Sequence, residues 1–406
     1  MLVLDPNGTI YPGSDGDYRA HGNQHLAADM GFPWVKFWAV WPVIQPKPPD
    51  QVPFSLLGTS ANPGLRNLQA LDAQVACARA DGRKVVVCAW QFPVWANGTA
   101  PLKWNTREEV EFFPQDRMTR AEWDKWVASD RTDYTVKRKE LIYRIPDDLS
   151  PAGAYGRWIR FLIDRYLGYG TNVAIEIMNE PSLQMWPQQG PSATSDPFAA
   201  GRVTVGSKVA KMIRTAQTVS IAYGHPLLLL APGGDDGPRG NDPVPGSTRQ
   251  RTMYASAVRV TLDGLDAIGF RAHPRYVWSH HNYTDLEHDL GADTGVRNRA
   301  AHVRNLLVGR WHGWPQTGQS DAPGVFITEG GARVNVAGSL DLQAQRIRRN
   351  WERMFRDDAD GAGIEMLAQY LSYSAPYFDT GVCEPSSVGG SKRPAYDTWK
   401  GLPALF

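Results

Sequence analysis

The sequence predicts an α/β fold: a (β/α)8, or TIM, barrel in a single domain, with long βα loops on one face. Three observations predict it. Short apolar, β-branched runs alternate with amphipathic helical stretches along the whole chain, the pattern of parallel βα units rather than of a sandwich. Two of those runs, Val173 to Glu180 and Val325 to Glu329, end abruptly in a glutamate followed by proline or glycine, residues that stop a ladder or turn the backbone. Finally, the 406 residues, 42% of them hydrophobic, are enough for one large core and contain no linker or internal repeat that would divide it.

The elements follow in order. A helix around His25 to Met30 leads into strand Trp34 to Trp38, and a helix around Leu68 to Ala80 leads into Lys84 to Trp90. Helix Ala154 to Tyr166 precedes strand Val173 to Glu180, and helix Val205 to Tyr223 precedes Pro226 to Ala231. Helix Thr252 to Leu262 precedes Tyr276 to Tyr283, Thr294 to Arg310 precedes Val325 to Glu329, and Leu342 to Asp357 precedes Ile364 to Ser372. That makes seven readable strands, with an eighth expected as a short irregular one within Gly8 to Asn23. Two connections are long: Gln91 to Pro151, with a helix expected at Ala121 to Ala128, and the Gly/Pro/Asp-rich Pro232 to Arg249. Both follow strand ends, so both are expected over the carboxyl-end face, where a barrel of this kind carries its site. The aromatic content of the first connection is expected to fold it across the barrel mouth as a wall.

Charge excludes some partners. Forty-three basic residues against 42 acidic ones leave a formal charge of +1, so no global basic field exists to hold nucleic acid or an anionic membrane. No run of about 18 apolar residues is present, so no membrane span is expected. Cys77, Cys88 and Cys383 are far apart, lack CxxC spacing and imply neither a disulfide framework nor a metal cluster. A basic and apolar leader is not visible at Met1 to Pro6, so the expected location is the cytoplasm if Met1 is the native start, and outside the cell if a leader has been removed. The sequence leaves the oligomeric state open.

At Asn179-Glu180-Pro181, taken together with Glu329 about 150 residues later, the chain resembles the clan A glycoside hydrolases. In motifs it is most similar to family five, the cellulase and mannanase group, because His281-Asn282-Tyr283 matches that family's His-x-Tyr. The resemblance covers the whole barrel. It implies Glu180 as acid/base, Glu329 as nucleophile, Asn179 as a donor to the sugar 2-hydroxyl, Tyr283 as a hydrogen-bond partner of the nucleophile and His281 as a substrate contact. Lys36, Trp38, Trp90 and Trp186 complete the candidate substrate-binding set. Departures from the family pattern are Lys36 where an arginine is common, Trp90-Gln91 where a histidine is common, and Tyr370 and Tyr373 in a last strand that usually carries a tryptophan.

The chemistry accounts for such a pair. A retaining glycosidase needs one carboxylate to attack the anomeric carbon and one carboxylic acid to protonate the leaving oxygen, with the carboxyl groups about 5 Å apart. Mutual repulsion and different hydrogen bonding keep one protonated and the other ionised. No cofactor and no metal are expected. His280 and His281 point to opposite sides of a strand and cannot share an ion, while Asp235, Asp236, Asn241 and Asp242 lack EF-hand spacing. Glu176 shares the parity of Glu180 but lies deeper, so it is expected in a structural ion pair with Lys36.

Of the 15 tryptophans, Trp90, Trp95, Trp104, Trp186 and Trp278 fall on or beyond strand ends, where their faces suit pyranose rings. Trp123 and Trp126, three apart on a helix, are expected to pack it down. The expected function is retaining hydrolysis of a β-glycoside. A transglycosylase on the same site and a catalytically silent carbohydrate-binding barrel are the alternatives.

Overall fold

The computed structural model describes residues 1–3, 24–97, 145–181, 197–225, 227–235, 253–287, 299–313, 323–353, 364–374, 379–384 and 390–402. Ten strands lie among them: β1 (Leu2–Val3), β2 (Trp34–Val40), β3 (Lys84–Trp90), β4 (Val173–Glu176), β5 (Leu228–Leu230), β6 (Gly234–Asp235), β7 (Tyr276–His281), β8 (Val325–Glu329), β9 (Ile364–Met366) and β10 (Gln369–Tyr370). Every pairing is parallel, in the order β10-β1-β2-β3-β4-β5-β7-β8-β9, with β6 set against β7. The two ends of this path, β9 and β10, are separated in the chain only by Leu367 and Ala368, so the sheet is strongly curled.

Seven strands stand where the apolar runs predict them. The region Gly8 to Asn23 lies outside the described residues, and the strand beside β2 is instead Leu2–Val3, too short to register as a periodic run. The expected helix Ala121 to Ala128, most of the Gln91 to Pro151 connection, and Trp104 and Trp186 also lie outside them.

Two apolar cores separate along each strand by parity. On the outer side Val35, Phe37, Val85, Val87, Val173, Ile175, Leu229 and Val325 face the helices, while Trp34, Trp38, Val86, Ala174, Leu228, Leu230, Val277 and Phe326 fill the inside of the curl. Parallel strands buried on both sides read as continuous apolar runs, which is why these were legible.

The helix Ala154–Tyr166 shows the outer packing. Tyr155, Trp158, Ile159, Leu162, Ile163 and Tyr166 recur at helical spacing and are buried, and the Trp158 ring stacks on Trp41 at 5.2 Å and 2°. Deleting a ring buried this deeply typically costs about 3–5 kcal/mol. The helix Leu340–Trp351 starts at Ser339, whose hydroxyl accepts from the Leu342 amide at 3.1 Å, with Asp341 in its first turn and Arg348 and Arg349 in its last, all as the helix dipole favours. Trp278, expected near sugar, is buried in the outer core instead, edge-on to Trp311 at 5.2 Å. Its parity on β7 decides this, since it alternates with Val277 and Ser279.

Candidate active site

Strict alternation delivers Lys36, Cys88, Glu176 and Ser279 to the inside of the curl, on neighbouring strands whose register sets Trp38 beside Cys88 and Cys88 beside Glu176. Two interruptions then add the remaining side chains. β4 stops at Glu176, and Ile177 and Met178 both turn to the outer core, so the chain reaches Asn179 out of phase. Asn179 re-pairs with Gly233, the Glu180 amide donates to the Gly233 carbonyl at 2.8 Å, and Glu180 takes a φ of 41°. A left-handed conformation in a residue other than glycine costs about 1–2 kcal/mol, so this backbone is held by its neighbours.

The second interruption is in β8. Register slips between His280 and His281, which pair with Ile327 and Glu329 and skip Thr328. Thr328 and Glu329 consequently both reach inward, which an unbroken strand would forbid.

Glu329 has both oxygens engaged. Lys36 Nζ donates to Oε1 at 2.8 Å and the Tyr283 hydroxyl donates to Oε2, also at 2.8 Å. Tyr283 opens the short helix Tyr283–Glu287 rather than ending the strand as the sequence predicts. That helix is fixed from two sides: Arg333 Nη2 donates to Glu287 at 2.7 Å, and the Asp285 carboxylate accepts from the Arg299 and Ala300 amides at 2.9 and 3.1 Å. Across the site, His281 Nδ1 lies 2.7 Å from Glu180 Oε1 and 3.6 Å from Glu329 Oε2. A Glu180 oxygen, a His281 ring nitrogen and a Glu329 oxygen all fall within 4.8 Å of one another. Of the side chains, Glu180 is 13% exposed and Glu329 4%, while Lys36 and His281 are sealed beneath them.

Lys36 also meets Glu176 Oε2 at 2.6 Å, the ion pair that parity predicts, and donates to Asn179 Oδ1 at 3.4 Å. The other Glu176 oxygen accepts from Thr328 at 2.9 Å and lies 3.1 Å from Ser279 Oγ. Burial alone would lower the Lys36 amine and raise the Glu176 carboxyl. Their mutual charge reverses both shifts, holding Lys36 above the usual lysine range and Glu176 below the usual carboxylate range. Burial likewise works against a charged His281, but Glu329, Glu176 and Glu180 around it outweigh burial and raise it to about 10. His280, on the opposite side of β7, is instead lowered to about 3 by burial. Glu329 is raised by burial, with His281 and Lys36 opposing. The Tyr283 phenol is raised by burial and by Glu329, so it is a proton donor at neutral pH.

Glu180, His281 and Glu329 are also the kind of set that ligates a metal ion, with one of the two Glu329 oxygens already taken by the Lys36 ammonium.

Trp38 and Trp90 lie side by side at the carboxyl ends of β2 and β3, ring centroids 4.9 Å apart, and Lys36 Nζ sits 4.7 Å from the Trp38 ring centroid. Trp90 and Tyr370 are half-buried, and Tyr370 meets Tyr283 edge-on at 5.8 Å. Trp95 donates to the Gln45 carbonyl at 3.1 Å and packs edge-on to Trp41.

Gly233 lies at the start of the Gly/Pro/Asp-rich connection Pro232 to Arg249, where nothing in the composition marks it for a role in the site. A Cβ there would stand 2.3 Å from His281 Nε2 and 2.8 Å from Glu176 Oε1, so the absence of a side chain makes room for the imidazole. Gly233→Ala is expected to lower stability by about 1–3 kcal/mol by overpacking. Because it must displace His281 from Glu180, it should also impair turnover in protein that is still folded. A variant with wild-type melting and rate would show that the imidazole does not need this space. Ser279 and Thr328 were missed as well, although the inward parity of Ser279 was a usable signal.

No protein family's sequence profile matches the chain, and no curated protein is significantly similar in sequence. Solved structures do match in fold. A GH5 xyloglucan-specific endo-β-1,4-glucanase from a metagenomic library, crystallised with cellotriose, superposes with a TM-score of 0.51 over 98% of this chain and 95% of its own, at 14% identity. ZgEngAGH5_4 in complex with a cellotriose gives 0.50 over 97% and 92%, at 13% identity. The likeness is therefore to GH5 glycoside hydrolase structures across nearly the whole chain, and at such identity it is a likeness of fold.

Proposed function

We propose that this chain is a retaining β-glycosidase acting through Glu329 as nucleophile and Glu180 as acid/base, on a (β/α)8 barrel completed by the segment 364–370. The observation that carries the reading is the approach of a Glu180 oxygen and a Glu329 oxygen to within 4.8 Å across the curl of the sheet, one carboxylate capped by a phenol and an ammonium and the other by an imidazole. That spacing is on the scale of the roughly 5 Å carboxyl separation of retaining enzymes, well short of the roughly 6.5–9.5 Å that an inverting pair needs to hold a nucleophilic water beside the sugar. In the first step Glu329 Oε2 bonds to the anomeric carbon while the glycosidic bond breaks and its oxygen takes a proton from Glu180. In the second, water attacks that carbon, Glu180 takes the water's proton and the bond to Glu329 breaks.

Two basic side chains, Lys36 and His281, face the three carboxyl groups of Glu176, Glu180 and Glu329, an arrangement in which one of the three can hold a proton without leaving the cluster charged. Asn179, with its oxygen turned to Lys36, has its amide N–H groups to offer a sugar hydroxyl, and the Trp38–Trp90 pair offers apolar faces. The cellotriose in the two structures of like fold supports a β-1,4-linked glucan as the substrate class. No step in this scheme calls on a metal or organic cofactor.

The test is turnover of a panel of aryl β-glycosides and β-glucans, with the first-formed anomer identified by proton NMR. A β product supports the reading, whereas an α product or the absence of turnover across the panel overturns it. Tyr283→Phe is expected to lower kcat on the order of 10²-fold, the typical effect of removing one preorganised donor. A donor to the charged form favours that form, so its loss raises Glu329 further and moves the acidic limb of the pH profile to higher pH. An unshifted limb would separate Tyr283 from the ionisation of Glu329.

A further inference from the structure

We infer that Lys36 is a positioning residue that divides the two oxygens of Glu329, holding Oε1 throughout the reaction and acting mainly on the second chemical step. The inference rests on the reading of the site just given and assigns Lys36 a role beyond the ion pair it forms with Glu176.

The two oxygens of Glu329 are not equivalent. Oε2 faces the acid/base side, 3.6 Å from His281 Nδ1, which itself bonds Glu180, and it carries a phenol hydrogen bond that can be given up. Oε1 faces the inside of the curl, where it meets a fully buried ammonium fixed from behind by Glu176 at 2.6 Å. Lys36 is also held by Asn179 Oδ1 at 3.4 Å and by the Trp38 ring, so it cannot follow an oxygen that moves. Attack therefore falls to Oε2, and Oε1 becomes the carbonyl oxygen of the glycosyl ester, still hydrogen-bonded to Lys36.

The consequence for rate is asymmetric. Before the first step the ammonium stabilises the free carboxylate, which does not help it attack. In the second step, water adds to the anomeric carbon, the bond from that carbon to Oε2 breaks, and its electron pair returns to Glu329. The carboxylate charge then reappears over both oxygens, next to a cation already in place, which lowers the barrier to departure. Glu176 keeps Lys36 charged and aimed, so it belongs to the same device.

The test uses a dinitrophenyl β-glycoside that the wild-type protein turns over, so that the first step needs little help from Glu180. The variant is Lys36→Met combined with Glu176→Gln, which removes both buried charges together. The expected result is a burst of about one dinitrophenolate per active site. A steady-state kcat reduced on the order of 10²-fold follows the burst. KM falls with kcat, so kcat/KM changes far less, and the intact protein gains the mass of one glycosyl group when quenched during turnover. Lys36→Arg, which keeps a donor cation, should restore most of the steady-state rate and abolish the burst.

Equal falls in kcat and kcat/KM, with neither burst nor mass gain, would overturn the inference while leaving the assignment of Glu329 intact. A wild-type protein inactive on every aryl β-glycoside and every β-glucan of the panel would overturn the assignment and this inference together. Should the first pair fail to fold, Lys36→Gln with Glu176→Gln, which leaves a neutral donor in the gap, carries the same expectations.

Discussion

Glu329→Ala is expected to lower turnover of an aryl β-glycoside by roughly 10⁴-fold or more, the scale seen when a covalent nucleophile is removed. The loss follows from the geometry, because Glu329 is the carboxylate with both a phenol at 2.8 Å and an ammonium at 2.8 Å to stabilise its charge. The variant also opens a space beneath the anomeric carbon. Azide entering it should restore a measurable rate with an activated substrate and give a glycosyl azide of inverted configuration. Glu180→Ala should give the opposite product, because there azide takes the place of water in the second step and configuration is retained. NMR of the two azides distinguishes the roles: identical configuration from both variants, or wild-type rates from either one, would defeat the assignment.

Lys36→Met is the second large effect, and it is one of stability. The substitution leaves Glu176, fully buried, without the cation that lies 2.6 Å from it, and takes a donor from Glu329 as well. Breaking one side of a buried ion pair costs about 3–5 kcal/mol, much of it from the charge left behind. Adding Glu176→Gln to the same chain is expected to recover most of that loss, since a buried pair removed as a whole is close to neutral. Urea unfolding of the two single variants and the double variant measures the coupling, and additive losses would contradict it.

The pair also sets a pH window. Glu176 is held below its ordinary value of 4.5, so its contribution is fully present above that pH and is lost as acid carries the protein down through the folded-state value. Lys36 is held above its ordinary value of 10.5, so its contribution is present below that pH and fails only in strong alkali. Acid unfolding of the wild type should therefore steepen below about pH 4.5, and Glu176→Gln should flatten that limb.

Much of this was legible in the chain. Buried parallel strands are continuous apolar runs, so β2, β3, β5, β7 and β8 were visible, and their parity placed Lys36 against Glu176 and turned His281 inward with His280 outward. Elements too short for any period were not visible. Leu2–Val3 is a two-residue strand, as is Gly234–Asp235, and pairing with neighbours defines both of them, not composition. Tyr283 reads as a strand end because the run opens with Tyr276, Val277 and Trp278, which suit a strand, and no proline or glycine interrupts it before Tyr283. It opens a helix because Asp285 and Glu287 are held by distant residues, Arg299 and Arg333 among them.

The sequence by itself determined which carboxylates stand at strand ends and which side of each strand a residue occupies, since a two-residue period is a property of the backbone alone. It did not determine the departures from that period. Asn179 and Glu180 both enter the site because the chain leaves β4 after Glu176 and re-pairs at Gly233, at the cost of a left-handed glutamate. Thr328 and Glu329 both enter it because β8 slips one residue against β7. Those irregularities depend on contacts between segments far apart in the chain, such as Glu180 with Gly233 and His281 with Glu329, and no local preference encodes them. Parity brought the carboxylates near one another, and tertiary packing bent the two strands until they met.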